Sequence, residues 1–240
     1  MSFLNKTDPE IARLIKEEEK RQENTLMMIA SENSVSMSVR EAVSSVFMNK
    51  YAEGYSGRRY YQGNAVADKL ESLVSERAKK LFGVEYVNVQ PHSGSPANFA
   101  VYTALLKPGD TIMGLNLASG GHLTHGAQKS ASSIYFKSVP YDVTQDGLID
   151  FTSLRALARK HKPRIIVAGT TAYARLLDWK QFAKIAKEVG AYLLADMSHI
   201  SGLVAAGMYP SPAPYVHVIT TTTHKTVRGP RGAMIMTTRA

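Results

Sequence analysis

Between Tyr215 and Met236 the chain reads Tyr-Val-His-Val-Ile-Thr-Thr-Thr-Thr-His-Lys-Thr-Val-Arg-Gly-Pro-Arg-Gly-Ala-Met-Ile-Met. β-Branched residues suit a pleated sheet, so Val216, Val218 and Ile219 read as a buried strand. Four hydroxyls follow, Thr220 to Thr223, and then His224, Lys225 and a turn flanked by Arg228 and Arg231. A lysine delivered at a strand end among His and Thr side chains, Thr222 and His224 included, is a candidate Schiff-base nucleophile once its pKa is lowered. Most lysines beside glycine turns are solvated surface, so this one needs support from the rest of the chain.

Four other stretches hold residue types that do chemistry. In Ala191-Tyr-Leu-Leu-Ala-Asp-Met-Ser-His199, Asp196 leaves an apolar strand, which is costly unless the charge is paired. It reads as a cap for the next turn or as the partner of a protonated heterocyclic nitrogen. Pro91-His-Ser-Gly-Ser-Pro-Ala-Asn98 opens a helix with small residues, so Ser93, Gly94 and Ser95 can form an anion cup. Neither the Walker A spacing nor the dinucleotide fingerprint is met there. Leu117-Ala-Ser-Gly-Gly-His-Leu-Thr-His-Gly126 offers His122 to stack on a ring or donate a hydrogen bond. Its glycine pair permits close backbone approach to a ligand. Tyr51-Ala-Glu-Gly-Tyr55 and Arg58-Arg-Tyr-Tyr-Gln-Gly63 crowd tyrosines around Glu53, which suits a flat heterocycle or an interface.

The elements that must position these groups alternate. Asp8-Pro9-Glu10 starts a helix, and Ile29-Ala-Ser-Glu-Asn33 reads as a capping turn. Asn64 caps a helix to Phe82 whose Leu70, Leu73, Val74, Ala78 and Leu81 have core spacing, and Gly83 ends it. Strands are expected at 84–89, 111–114, 134–139, 165–168, 191–195 and from Val216, with helices near 152–160 and 180–189. That pattern predicts an α/β fold, a mostly parallel central sheet with helices on both faces, preceded by a helical arm. Ligands in such sheets collect at the carboxyl ends of strands, where Asp196, His199 and Lys225 fall. The expected division is an arm with its helices over 1–50 and a ligand-binding domain over 51–240.

Composition excludes several classes. The 240 residues contain no cysteine, which removes disulfides, thiolate catalysis and Cys-based zinc sites, and no metal site is expected. No apolar run approaches a membrane span, so a soluble, cytoplasmic protein is expected. Residues 1–150 carry a charge balance of −1 and residues 151–240 one of +10. The basic residues are spread over helices without interleaved aromatics, so anionic ligands are a better reading than nucleic acid.

The lysine string, Tyr-Ala-Glu-Gly-Tyr and His-Ser-Gly-Ser together resemble serine hydroxymethyltransferase, a pyridoxal-phosphate (PLP) enzyme of the aspartate-aminotransferase fold type. The likeness runs in order over essentially the whole chain, as a PLP-binding large domain without the family's C-terminal domain. Met27 and residues 127–131 depart from the family's usual sequence. The resemblance implies a PLP aldimine on Lys225, Asp196 on the pyridine nitrogen, His122 against the ring, and His199 and Thr171 at the phenolic oxygen. Ser93, Gly94 and Ser95 would hold the phosphate. Glu53 would be the acid/base group, reaching across a homodimer interface, with Thr222 and His224 also in the catalytic set. Ser31, Tyr51, Tyr55, Tyr61 and Arg231 would meet the amino acid, and Leu117, Gly121 and Leu123 would meet folate. The implied reaction converts serine and tetrahydrofolate to glycine and 5,10-methylenetetrahydrofolate. Two other readings fit the same residues, a PLP aldolase of threonine-like substrates and a non-catalytic homologue acting through subunit association.

Overall fold

The computed structural model describes residues 3–238; residues 1–2 and 239–240, the outer ends of the two expected domains, lie outside the described residues. Contacts divide the chain into two units, Met1–Asn33 and Ser34–Ala240, an earlier division than the expected 50/51. In the first unit α1 (Phe3–Thr7) leads into α2 (Pro9–Asn24). Asp8 caps α2 by accepting the Ile11 N–H at 3.0 Å, and Pro9 takes the first helical position, where its missing N–H has no intrahelical partner to lose. Ile11, Leu14 and Ile15 form an exposed stripe along it.

The second unit begins with α3 (Met37–Val43), the ribbon β1 (Gly54–Tyr55) and β2 (Arg58–Arg59), and α4 (Ala65–Phe82). Alternation follows: β3 (Tyr86–Asn88), α5 (Gly94–Leu105), β4 (Thr111–Leu115), α6 (Ala131–Tyr135) and β5 (Lys137–Tyr141). Then come α7 (Phe151–His161), β6 (Ile165–Gly169), α8 (Trp179–Val189), β7 (Tyr192–Asp196), α9 (Ser201–Ala205), β8 (Val218–Thr222) and β9 (Ala233–Thr237). Among the described residues, seven strands form one sheet in the order β3-β9-β8-β7-β6-β4-β5. β9 runs in the opposite direction to the other six strands of this sheet. The fold is therefore α/β with a mostly parallel sheet flanked by helices.

Period-two alternation builds a core on each face of the sheet. Ile166 and Ala168 of β6 pack with Leu154 of α7 and Phe182 and Ile185 of α8, whereas Ile165 and Val167 pack with Val101 and Tyr102 of α5. Burying each large apolar side chain stabilises the fold by about 1.5–3 kcal/mol, so this double burial holds the strand ends rigidly in place.

Several sequence expectations are corrected. Residues 131–135 are helical and β5 starts at Lys137, with Phe136 rather than Ile134 turned inward. Val216 precedes β8, and Thr220 to Thr222 lie within that strand instead of after it. Asn64 stands before α4 but makes no capping bond; its Nδ2 donates to the Tyr61 carbonyl at 2.9 Å. The α4 stripe is not core either. Leu70, Leu73 and Leu81 are 41, 47 and 50 % exposed, and only Ala78 and Phe82 of this helix are buried.

Candidate active site

The ends of five same-direction strands converge on a cavity of about 230 Å³. β7 supplies Asp196 at its last position, 8 % exposed. One carboxylate oxygen, Oδ2, accepts Asn98 Nδ2 at 2.8 Å and His125 Nε2 at 3.0 Å. The other, Oδ1, accepts the Ser198 N–H at 3.1 Å and the Ser198 hydroxyl at 2.6 Å. Burial by itself would raise this carboxyl's pKa, but the hydrogen bonds from His125, Asn98 and Ser198 outweigh it and hold the group well below the usual carboxylate range. Asp196 is ionised, and its cost of burial is met by four donors.

β8 supplies the lysine. Its threonines divide the work: Thr220 Oγ1 donates to Asn98 Oδ1 at 2.7 Å and Thr221 Oγ1 to the Thr222 carbonyl at 3.1 Å, so only Thr222 reaches the cavity. Beyond the strand, Thr223 N–H donates to the Gly232 carbonyl, Gly229 N–H to the Thr223 carbonyl and Arg228 N–H to the Lys225 carbonyl. Arg228 takes a positive φ of 59° to close this loop. Lys225 thus springs from a pinned turn. Its Nζ donates to His199 Nε2 at 3.0 Å. Burial lowers the pKa of Lys225 from the ordinary lysine value. His199 is pushed down to about 4 by burial and by the lysine charge, so its ring is neutral and accepts.

β4 leads into the loop that carries His122. Gly120 has φ +96°, and a Cβ there would lie 2.4 Å from the Ala172 carbonyl oxygen; one on Gly121 would lie 1.9 Å from that of Leu115. The glycine pair lets the loop approach the chain's own backbone closely. It lets Thr171 N–H reach the Gly120 carbonyl at 2.7 Å, bringing the exits of β4 and β6 together. His122 Nδ1 accepts the Thr124 N–H and lies 2.8 Å from the Thr124 hydroxyl, while burial lowers its pKa, so the ring is neutral with its proton on Nε2. From β3 the chain enters α5, where Ser93 makes no side-chain capping bond. The start of α5, with Ser93, Gly94 and Ser95, lines the cavity, and a helix N-terminus is a positive end suited to an anion.

Eleven expected residues line this one cavity: Ser93, Gly94, Ser95, His122, Thr171, Asp196, His199, Thr222, His224, Lys225 and Arg231. Sequence reasoning missed His125, Thr170 and Ser198, which also line it, and Asn98, which braces Asp196. Two of these had a local signal: Ser198 stands two residues after Asp196, the spacing of a side-chain turn, and His125 follows His122 in His-Leu-Thr-His. Asn98 and Thr170 had none. Thr222 Oγ1, His224 Nδ1 and His125 Nδ1 are buried without a hydrogen-bond partner. Among the described residues no group of three or more His, Cys, Asp or Glu is placed to hold a metal, and no helix is long and apolar enough to cross a membrane.

The sequence model of serine hydroxymethyltransferase matches residues 4–240. The chain belongs to the serine hydroxymethyltransferase family. The serine hydroxymethyltransferase of Desulfotalea psychrophila is 56% identical over 236 residues, covering 98% of this chain and 56% of the relative. That of Acidothermus cellulolyticus is 56% identical over 239 residues, covering 99% of this chain and 56% of the relative. The chain thus spans little more than half the length of these curated relatives.

The remaining residues that the family likeness singled out do not line the cavity. Tyr51, Glu53, Tyr55 and Tyr61 are exposed, and the Tyr51 and Tyr61 rings meet edge-on at 5.9 Å. Their loop is held by Arg59, whose side chain is 4 % exposed and bonds Asp68 at 2.8 Å, Glu71 at 3.0 Å and the carbonyls of Ala52 and Gly54. Leu117 and Leu123 are exposed at the 116–126 loop, and Gly121 is buried within it. Ser31 lies in the first unit, in a turn closed by Glu32 N–H on the Ile29 carbonyl.

Proposed function

We propose that this chain carries the PLP-binding part of a serine hydroxymethyltransferase, which interconverts serine plus tetrahydrofolate with glycine plus 5,10-methylenetetrahydrofolate. The observation behind this reading is the meeting, in one cavity, of an amine with a lowered pKa, an ionised carboxylate and a helix N-terminus. These answer the aldehyde, the ring nitrogen and the phosphate of PLP. The fit extends further: Thr222 Oγ1 and His224 Nδ1 are buried with no partner, and a Cβ on Gly94 would close the cup, 2.9 Å from Thr222 Cγ2.

When bound, PLP supplies a conjugated ring that takes up the electrons released as the Cα–Cβ bond of serine breaks. The chain's own groups do the positioning. Burial favours the unprotonated form of Lys225, the form that attacks a carbonyl carbon, and its bond to His199 aims the amine. Asp196 holds a proton on the ring nitrogen. Ser93, Gly94 and Ser95 hold the phosphate, Thr171 and His199 orient the phenolic oxygen, and His122 lies against the ring. Arg231 meets the anionic end of the substrate. Glu53 of a neighbouring subunit moves the proton of the serine hydroxyl, with Ser31, Tyr51, Tyr55 and Tyr61 around the amino acid and Leu117, Gly121 and Leu123 around folate. The exposure of the tyrosine loop and of the α4 stripe supports such a shared site in a homodimer. We place the enzyme in the cytoplasm.

Mixing the protein with PLP and reducing with borohydride tests the reading. Mass spectrometry should find the label on Lys225; label on surface lysines with Lys225 untouched sinks it. Folate dependence of serine cleavage then separates the transferase from a threonine-type aldolase.

A further inference from the structure

The cavity around Lys225 does not absorb the basic excess of residues 151–240. At the opposite end of the sheet, where β7 and β8 begin, lies a cleft of about 600 Å³, lined by Arg164, Lys187, Tyr192, Tyr215 and His217 among others. No carboxylate is among its described lining residues. That volume falls within the range of small-molecule sites, about 300–1,000 Å³.

Its walls are held in place. Arg164 N–H donates to the Thr111 carbonyl at 2.8 Å, and its own carbonyl accepts the Tyr192 N–H at 2.9 Å. The guanidinium lies over the Tyr192 ring, with Cζ 5.1 Å from the centroid. Tyr192 in turn meets the His217 ring edge-on, at 5.6 Å and 88°. His217 Nδ1 accepts the Leu193 N–H at 2.9 Å, which fixes the ring. A stacked series of guanidinium, phenol and imidazole results.

Among the described residues no acid lines the cleft or pairs with Arg164 or Lys187. Glu188, the one acid on α8, is engaged by Arg155 at 3.3 Å and Arg159 at 3.1 Å. Lys187 stands in the last turn of α8, so part of its charge answers the negative helix end. Arg164 has no such role. A guanidinium stacked on one ring keeps its planar fork of donors for an anion such as phosphate. Tyr215, 41 % exposed at the same cleft, offers a further aromatic face.

We propose that this cleft is a second binding site, for a nucleotide: its phosphate on Arg164 and Lys187, its base against Tyr215. The site is independent of PLP chemistry, because it lies at the other end of the strands from Lys225.

Calorimetric titration of the full chain with adenosine monophosphate tests the proposal. One saturable site is expected. Arg164→Ala and Lys187→Ala should each weaken binding by about tenfold or more. Arg164→Lys, which keeps the charge and loses the fork, should weaken it less, and Lys225→Ala should leave it unchanged. Circular dichroism checks that each variant is folded. No saturation at millimolar nucleotide overturns the proposal. So does binding that survives both cleft substitutions, because the nucleotide then sits elsewhere, the cup at α5 included. Inorganic phosphate binding as tightly as the nucleotide would mean a bare anion site and also overturns it. An oligoribonucleotide that binds far more tightly, and that the mononucleotide cannot displace, would instead make this a nucleic-acid face. Failure of PLP to label Lys225 would leave every one of these outcomes readable.

Discussion

Asp196 accepts four hydrogen bonds through its two oxygens, and an amide in its place would turn one acceptor into a donor facing donors. Losing a charge-assisted bond in a dry site costs about 1.5–3 kcal/mol. Asp196→Asn should therefore lower the melting temperature of the chain by about 3–12 °C, and slow turnover by about one to two decades. An unchanged melting temperature would mean that the carboxylate serves only as a loose cap. His199 gives a second test. Its folded pKa is about 4 against an ordinary 6.5, so between those values the unfolded imidazole binds a proton that the folded one refuses. Protonation there favours unfolding, and the stability that this group contributes is present above pH 6.5 and lost as pH falls toward 4. Melting curves should fall across that window and flatten in His199→Gln. A variant with the same slope as the parent would assign the acid sensitivity to other groups.

At the scale of elements, the tyrosine loop depends on one side chain. Arg59 ties the β1–β2 ribbon to α4 through Asp68 and Glu71 and holds the Ala52 and Gly54 carbonyls on either side of Glu53. The hydrogen bond that Arg59 donates to Asp68 raises the pKa of the guanidinium and lowers that of the carboxyl, so both partners stay charged. Arg59→Ala should free residues 51–63 without disturbing the sheet. Trypsin should then cut at Lys50 or Arg58 much faster than in the parent, while PLP labelling of Lys225 is unchanged. Equal cleavage rates would show that the loop is held by other contacts. The same experiment asks whether the loop matters to chemistry: if Glu53 acts on a neighbouring site, turnover drops although Lys225 still reacts.

At the scale of the whole molecule, two helices carry exposed apolar stripes. Val66, Leu70, Leu73 and Leu81 lie along α4, and Ile11, Leu14 and Ile15 along α2. Such patches mark association surfaces or aggregation risk. The curated relatives are nearly twice as long as the matched region. The expectation is that residues 1–240 self-associate, bind PLP weakly and turn over serine poorly. Two arginines near the site are engaged elsewhere, Arg59 with Asp68 and Glu71 and Arg228 with the Ser34 carbonyl at 3.1 Å, which leaves Arg231, at the cavity wall, as the one placed to meet a carboxylate. Assay of this chain beside one extended with a relative's C-terminal region decides it. Equal turnover would assign the substrate carboxylate to an arginine already present. Sedimentation of Leu70→Glu and Leu73→Glu should show smaller assemblies than the parent; no change would acquit the α4 stripe.

Local patterns carried much of this protein. Apolar runs and turn residues were enough for the alternating α/β order and placed Lys225, Asp196 and Ser93–Ser95 near strand exits, where they line one cavity, but their proposed roles came from the family resemblance and not from local spacing. Tertiary structure alone decided which groups meet. Asn98 and His125 bond Asp196 from 98 and 71 residues away, and no local spacing encodes a contact closed by a sheet. It also decided that Thr220 and Thr221 are bracing inside β8, since the parallel register with β7 runs to the Asp196–Thr220 pair. The exposure of α4 is the plainest case. Helical spacing shows that a helix has an apolar stripe, but burial of that stripe depends on what the sheet and its other helices leave uncovered, which is a property of the packed molecule.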